Sequence, residues 1–267
     1  RLSDDIKAIL LVHSAGQAAP IDRISELAKK KGVYLIEDCS QAHGARLNGK
    51  RVGTYGDLAA FSTMYRKAHA SGGCGGIIYT KQESFYRLAR AYADRGKPFW
   101  ERGFDDKDPG QFLFPALNLQ TDELSCAIGL SSLRKLPSTI ERRLGFLKGL
   151  SVALSAQCGG LCWSSPLKEG DSPFFHPIFV DTDRLKCSKI EFAKAVRAEG
   201  IDVNPSYMYV ADDWAYLKPH LADSFICRNA HEVRDRTFNL LFNENYGPSE
   251  ARDIVGAIIK VGEILAR

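Results

Sequence analysis

Two hydrophobic periods alternate along this chain. Lys7–Val12 is a short, mostly apolar run of strand length. Pro20 then opens a stretch with Ile21, Ile24, Leu27 and Ala28 at helical spacing, closed by Lys29–Lys31 and Gly32. A second apolar run, Val33–Ile36, follows at once. Strand, helix, strand with continuous apolar strands predicts a βαβ unit in a parallel sheet covered on both faces. Asn48-Gly49, inside Arg46–Val52, predicts a small hairpin. Leu58–Thr63 and Gly76–Thr80 read as further strands and Ser84–Asp94 as a helix. Arg95–Leu117 is a long loop rich in Gly, Pro, Phe and charge, and a loop of that length inside a compact domain marks function or an interface.

Thr121-Asp122-Glu123 can cap a helix over Leu124–Leu136, which Pro137 is expected to end. A second helix from about Thr139 to Ala156 would put Ile140, Leu144, Leu147 and Leu150 on one face. The expected domain boundary is near Pro137: a larger domain over 1–136, then a connector helix and smaller C-terminal domain over 137–267. In the latter, Phe174–Val180 and Ile201–Val203 read as strands, Lys189–Glu199 as a helix after Ser188, and Ser249–Leu265 as the closing helix. That alternation is a small α/β domain. Internal repeats and low-complexity tracts are absent from the sequence.

Composition narrows the class. At 267 residues, 45% hydrophobic and 25% charged, the chain can bury one large or two ordinary cores. The net charge of +4 is mild, and Lys29–Lys31, Lys50-Arg51 and Arg142-Arg143 are scattered, without the interleaved aromatics of a nucleic-acid face. The sequence has no run of about 18 apolar residues to span a membrane and nothing resembling a signal peptide. Seven cysteines without framework spacing suit reduced thiols and a cytoplasmic location. Cys158 and Cys162 form a lone C-x3-C, weak evidence for zinc, so no metal site is expected.

The chemistry concentrates between Val33 and Thr80. Asp38 follows one apolar strand and Lys67 follows another, 67 − 38 = 29 residues later. A carboxylate at the C-terminal end of a buried parallel strand points into the crevice where open α/β sheets bind ligands; its structural alternative is a helix N-cap over Ser40 and Gln41. A lysine that forms a Schiff base needs a depressed pKa and a site at a strand end. Ser62 and the glycines at 72, 73, 75 and 76 offer hydroxyl and backbone N–H groups to a phosphate. The glycines can equally be a tight turn leading into a strand. Neither G-x4-G-K-[ST] nor G-x-G-x-x-G is present. An acid for a pyridine nitrogen and an amine for an aldehyde suit pyridoxal 5′-phosphate.

Several ordered motifs carry a resemblance. Glu37-Asp38-Cys39-Ser40-Gln41-Ala42-His43-Gly44-Ala45, Val52-Gly53-Thr54-Tyr55-Gly56-Asp57 and Phe61-Ser62-Thr63-Met64-Tyr65-Arg66-Lys67 are similar to E-D-A-A-Q-A-H-G-A, V-G-x-x-G-D and F-S-F-x-x-x-K. Val12-His13-Ser14-Ala15-Gly16, Gly75–Thr80 and Asp122–Leu130 match further motifs in order. The chain thus resembles the DegT/DnrJ/EryC1/StrS aminotransferases. The resemblance implies an α/β fold: a fold-type-I pyridoxal-phosphate transferase large domain, its mostly parallel sheet carrying helices on both faces, plus the smaller C-terminal α/β domain. It also implies a homodimeric enzyme with a shared active site, moving an amino group from glutamate onto a nucleotide-linked keto sugar or keto cyclitol. Lys67 would hold the cofactor covalently and serve as general base and acid. Asp38 would pair with the pyridine nitrogen, Gln41 would lie near the ring hydroxyl, Ser62 would bind phosphate, and Asn118 would reach the partner subunit's cofactor.

The departures set further expectations. Leu117-Asn118-Leu119-Gln120 replaces an aromatic-flanked Y-N-Y-R, and Asn204-Pro205-Ser206-Tyr207 only faintly resembles H-Y-x-P-x-H. Substrate identity would rest on Arg95–Leu117 and Tyr207–Tyr216. Family members carry additional N-terminal sequence, so the large domain is expected to be N-terminally incomplete. The alternative that follows is a non-catalytic dimeric scaffold or regulatory subunit; retention of Asp38, Gln41, Ser62, Lys67 and Asn118 together points away from it. A related dehydratase branch has histidine in place of the lysine, and His69 lies out of register for that role. His43 and His69 lie near the site in sequence, with either a direct or a structural role.

Overall fold

The computed structural model describes residues 3–207, 209–221 and 224–267. Met208, inside the Tyr207–Tyr216 stretch singled out above, lies outside the described residues. The chain divides into two compact units, Arg1–Thr139 with Lys168–Phe174, and Ile140–Leu167 with Phe175–Arg267.

In the first unit, strand β1 (Ala8–Val12), helix α1 (Ile21–Lys31) and strand β2 (Tyr34–Asp38) form the expected βαβ arrangement, with β1 and β2 parallel. Gly32 ends α1 in the left-handed conformation at φ 65°, and its N–H caps the Ala28 and Lys29 carbonyls. The hairpin is two-residue β3 (Arg46–Leu47) and β4 (Lys50–Arg51), with Asn48 at φ 51° and Gly49 at φ 76° as a primed turn requires. Strand β5 (Leu58–Ser62) joins β2 in parallel, and β6 (Gly76–Tyr79) closes the sheet antiparallel to β5, giving the order β1-β2-β5-β6. Helix α2 (Glu83–Ala93) follows, and a bridge between Asp94 and Asn118 ties together the two ends of the long loop.

The expected break at Pro137 does not occur. One 35-residue helix, α3 (Glu123–Gln157), runs through it. Asp122 caps its start, Oδ1 accepting the Ser125 N–H at 2.8 Å. Proline deletes one backbone donor and crowds the preceding turn, and tertiary packing can outweigh that cost. Just past it, the Ser138 hydroxyl donates to the Lys135 carbonyl at 2.9 Å.

The second unit adds β7 (Cys162–Ser164), β8 (His176–Val180), α4 (Lys189–Ala198), β9 (Val203–Asn204), α5 (Arg228–Asp235), β10 (Thr237–Leu240) and α6 (Pro248–Leu265). Its sheet is antiparallel throughout, in the order β7-β8-β10-β9. Ser188 caps α4 reciprocally with Glu191. Leu147, Leu150 and Leu154 of α3, Ile178, Phe192, Phe238 and Ile258 are fully buried in one cluster.

One buried carboxylate organises the first unit. Glu37, wholly inaccessible, accepts N–H bonds from Gly53 at 2.6 Å, Gly56 at 2.7 Å and Tyr55 at 2.8 Å, and a fourth from His13 Nε2 at 3.1 Å. His13 Nδ1 accepts the Ala19 N–H, so the proton sits on Nε2, directed at Glu37. Gly53, at φ 84°, admits no side chain, because a Cβ would come within 2.5 Å of the Phe61 ring. Burial works against the Glu37 charge, but the bonds from His13, Gly56, Gly53 and Tyr55 together hold its carboxyl below the ordinary value of 4.5.

Because the folded-state pKa is depressed, the stability it contributes is present above about pH 4.5 and is lost as pH falls through the folded value. Glu37→Gln turns an amide toward two of the four donors and is expected to destabilise the protein by about 1–3 kcal/mol. Its urea unfolding free energy should also fall less than that of the wild type between neutral and acidic pH. Leu150→Ala, in the second unit's core, should cost about 2–5 kcal/mol in the same measurement.

Candidate functional site

Asp38 and Ser62 are the last residues of neighbouring parallel strands, so both stand at the C-terminal edge of the sheet. Successive residues of a strand face opposite ways. Glu37 therefore turns into the buried network and Asp38 to the other side. Asp38 pairs in register with Val12 and Ala60. No helix follows it, which removes the N-cap reading. Its Oδ1 instead accepts the Ser40 N–H at 2.9 Å, an Asx turn that orients the carboxylate. Gln41 lies in that turn, and its amide oxygen accepts the Ala15 N–H at 2.7 Å, fixing the turn to the segment after β1.

Lys67 lies in the loop after β5, five residues beyond Ser62. Its N–H bonds the Met64 carbonyl at 2.8 Å, and its ammonium lies 4.4 Å from the centre of the Phe174 ring. The side chain is half-buried. Burial draws the amine below the usual lysine range, and the Asp38 carboxylate pulls in the opposite direction. A lysine lowered by burial and facing an acid is the arrangement Schiff-base chemistry needs.

The glycine run folds back on the end of β5. The Thr63 N–H bonds Gly75 O at 2.8 Å, the Tyr65 N–H bonds Gly73 O at 2.9 Å, and the Thr63 and Ser71 hydroxyls meet at 2.8 Å. A Cβ on Gly75 would come within 2.8 Å of Thr63 Oγ1 and 2.9 Å of Ser71 Oγ. These glycines thus serve the turn into β6. The Ser62 hydroxyl accepts only a long bond from the Met64 N–H, at 3.4 Å.

Asp38, Gln41, Ser62 and Lys67 are gathered by the ends of β2 and β5. Asn118 is placed differently: it is exposed, bridged to Asp94 at the end of α2, with its side-chain oxygen toward the Gln120 N–H at 3.4 Å. Phe174 escaped sequence reasoning, since nothing local marks it. It arrives with the short return segment Lys168–Phe174, held where the Ser172 N–H bonds Gly16 O at 2.9 Å and the Ser172 hydroxyl bonds His43 O at 2.6 Å. His13 was also missed as the partner of Glu37. The signal available was an acid in a buried strand, which demands a donor.

Comparison with known proteins identifies the family and the fold. The profile of the DegT/DnrJ/EryC1/StrS aminotransferase family matches residues 2–259. Over 217 residues the chain is 32% identical to a GDP-4-keto-6-deoxy-D-mannose 3-dehydratase of Yersinia pseudotuberculosis, covering 76% of this chain and 53% of that relative. Over 143 residues it is 36% identical to a dTDP-3-amino-3,6-dideoxy-alpha-D-galactopyranose transaminase of Aneurinibacillus thermoaerophilus, covering 54% and 37%. The chain thus spans about half, or less, of the length of these curated relatives. In fold it is similar to an aminotransferase from Psychrobacter cryohalolentis, with TM-score 0.84 and 24% identity over 98% of this chain and 70% of that one. With its ordered motifs, sheet and strand-end residues all in place, this chain belongs to the DegT/DnrJ/EryC1/StrS aminotransferase family.

Proposed function

We propose that the protein is a pyridoxal-phosphate-dependent aminotransferase that passes an amino group from glutamate to a nucleotide-linked keto sugar or keto cyclitol. The observation carrying this reading is Lys67: a half-buried amine, held below its usual pKa, on the same sheet edge as Asp38. The donor set fits the cofactor. Asp38 supplies an anion for a pyridinium nitrogen, Lys67 an amine for an aldehyde, and Ser62 a hydroxyl for a phosphate, while Gln41 is already anchored beside Asp38.

The cofactor, when bound, supplies an aldehyde and an electron-withdrawing ring. Asp38 keeps the proton on the ring nitrogen, its carboxylate oriented by the Ser40 N–H. Lys67 would hold the aldehyde and would serve as general base and acid, carrying a proton on its Nζ, and its burial raises the fraction of neutral amine available to take that proton. The Phe174 ring shields the amine from water on one side. The motif in which Lys67 stands favours amino transfer over dehydration, since the lysine is retained. Asn118 is proposed to serve the partner subunit's cofactor across a homodimer. Among the described residues no helix is long and apolar enough to cross a membrane, and we place the enzyme in the cytoplasm.

Borohydride reduction of the protein with pyridoxal phosphate, followed by peptide mass spectrometry, should place the pyridoxyl group on Lys67. Lys67→Ala should lose both this label and the release of 2-oxoglutarate from glutamate, with its circular dichroism unchanged. Full glutamate turnover by Lys67→Ala would falsify the assignment. Asp38→Asn should keep the Lys67 label while 2-oxoglutarate release falls by about 10²–10³-fold, the loss typical of one aligned charge.

A further inference from the structure

Two histidines behind Lys67 take no part in the chemistry above. His43 follows β2 in the turn that carries Asp38 and Gln41, and His69 lies two residues beyond Lys67 on the loop after β5. Both are buried, each 4% exposed. Their rings meet edge to face, 5.7 Å apart at 71°, and the Phe61 ring also packs on His43, its centre 5.7 Å away. His43 Nε2 and His69 Nδ1 are buried and have no hydrogen-bond partner.

The protonation pattern of His43 follows from its other bond. His43 bonds the backbone of Ser62, and because Nε2 has no partner the bond is made by Nδ1. A carbonyl only accepts, so Nδ1 carries the proton and Nε2 presents a bare lone pair. Burial, then His69 and Lys67, push His43 down to about 4, and burial alone lowers His69. Both rings are therefore neutral at physiological pH, one offering an acceptor and the other able to offer a donor. Two unpaired, buried polar atoms on neighbouring rings each carry an uncompensated desolvation. The imidazole torsion is broad and soft, so the two rings can turn toward each other.

We propose that His69 Nδ1–H donates to His43 Nε2, a neutral imidazole pair that ties the Lys67 loop to the Asp38 turn and positions the amine against the acid. The chain of bonds runs from the Ser62 carbonyl through His43 to His69. It complements the existing anchors of that loop, the Ser71 N–H to Thr63 O at 2.9 Å and the Ala70 N–H to Ser132 Oγ at 3.1 Å. Neither histidine is a catalytic residue in this scheme; both act through the placement of Lys67, so the proposal rests on the reading of Lys67 as the cofactor's attachment point.

The hydrogen bond is read in the wild-type protein without cofactor, labelled with 15N-histidine. A proton bonded to His69 Nδ1 and coupled across to His43 Nε2 is expected, and should vanish in His69→Phe. With pyridoxal phosphate and borohydride, His69→Phe should reduce Lys67 labelling relative to the surface lysines by about tenfold, as loss of a supporting hydrogen bond commonly does. His69→Gln, which restores a donor, should recover most of it. An unprotonated or uncoupled His69 Nδ1 in the wild type, or wild-type labelling of Lys67 in His69→Phe, overturns the proposal. Coupling present in a wild type that takes no Lys67 label supports the pair and overturns the cofactor reading alone.

Discussion

The buried carboxylate of Glu37 is the interaction on which the rest of the first unit depends. A wholly inaccessible anion is tolerable only when fully bonded. Its four donors come from two separate places: His13 after β1, and the Gly53, Tyr55 and Gly56 amides leading into β5. Meeting that demand draws the end of β1 and the approach to β5 onto β2. The residue beside it is then placed without further choice. The strand's alternation sends Asp38 to the opposite side, at the height where Val12 and Ala60 flank it. One acid is spent on architecture, and the next is left on the side of the candidate site.

The same edge sets the condition of Lys67. Burial favours its neutral form, while the Asp38 charge favours the protonated one. That opposition is what the proposed role of Lys67 requires, since a general base and acid must both take up and give back a proton. Gln41 and the Asx turn at Ser40 keep the acid side rigid through Ala15 and the Asp38 side chain itself. The second unit has a different character: an antiparallel sheet over a dense cluster of aliphatic and aromatic side chains.

Local pattern made much of this legible. The βαβ unit, the Asn48-Gly49 hairpin, α2, α4 and α6 follow from periodicity and end signals, because their determinants lie within a few residues of one another. The continuity of α3 through Pro137 was not legible: propensity at a proline argues for a break, and a helix packed along its length can outweigh one lost bond. Strands β7 and β10 were also hidden. Cys162–Ser164 is too short to show a period. Thr237–Leu240 is buried on both faces although two of its four residues are polar, so alternation of burial never appears.

The sequence by itself determined the family and the sheet's parallel core, and it singled out Asp38, Gln41, Ser62 and Lys67 as candidates, because motif order and strand ends are local properties. It also carried the two histidines, without saying what they face. Tertiary structure alone decided which acid became structural and which turned to the site, since that depends on where His13 and the Gly53–Gly56 amides arrive. It likewise decided that Phe174 lies against Lys67 and that His43 meets His69. Contacts between residues distant in sequence are set by the closure of the chain, and no local pattern records them.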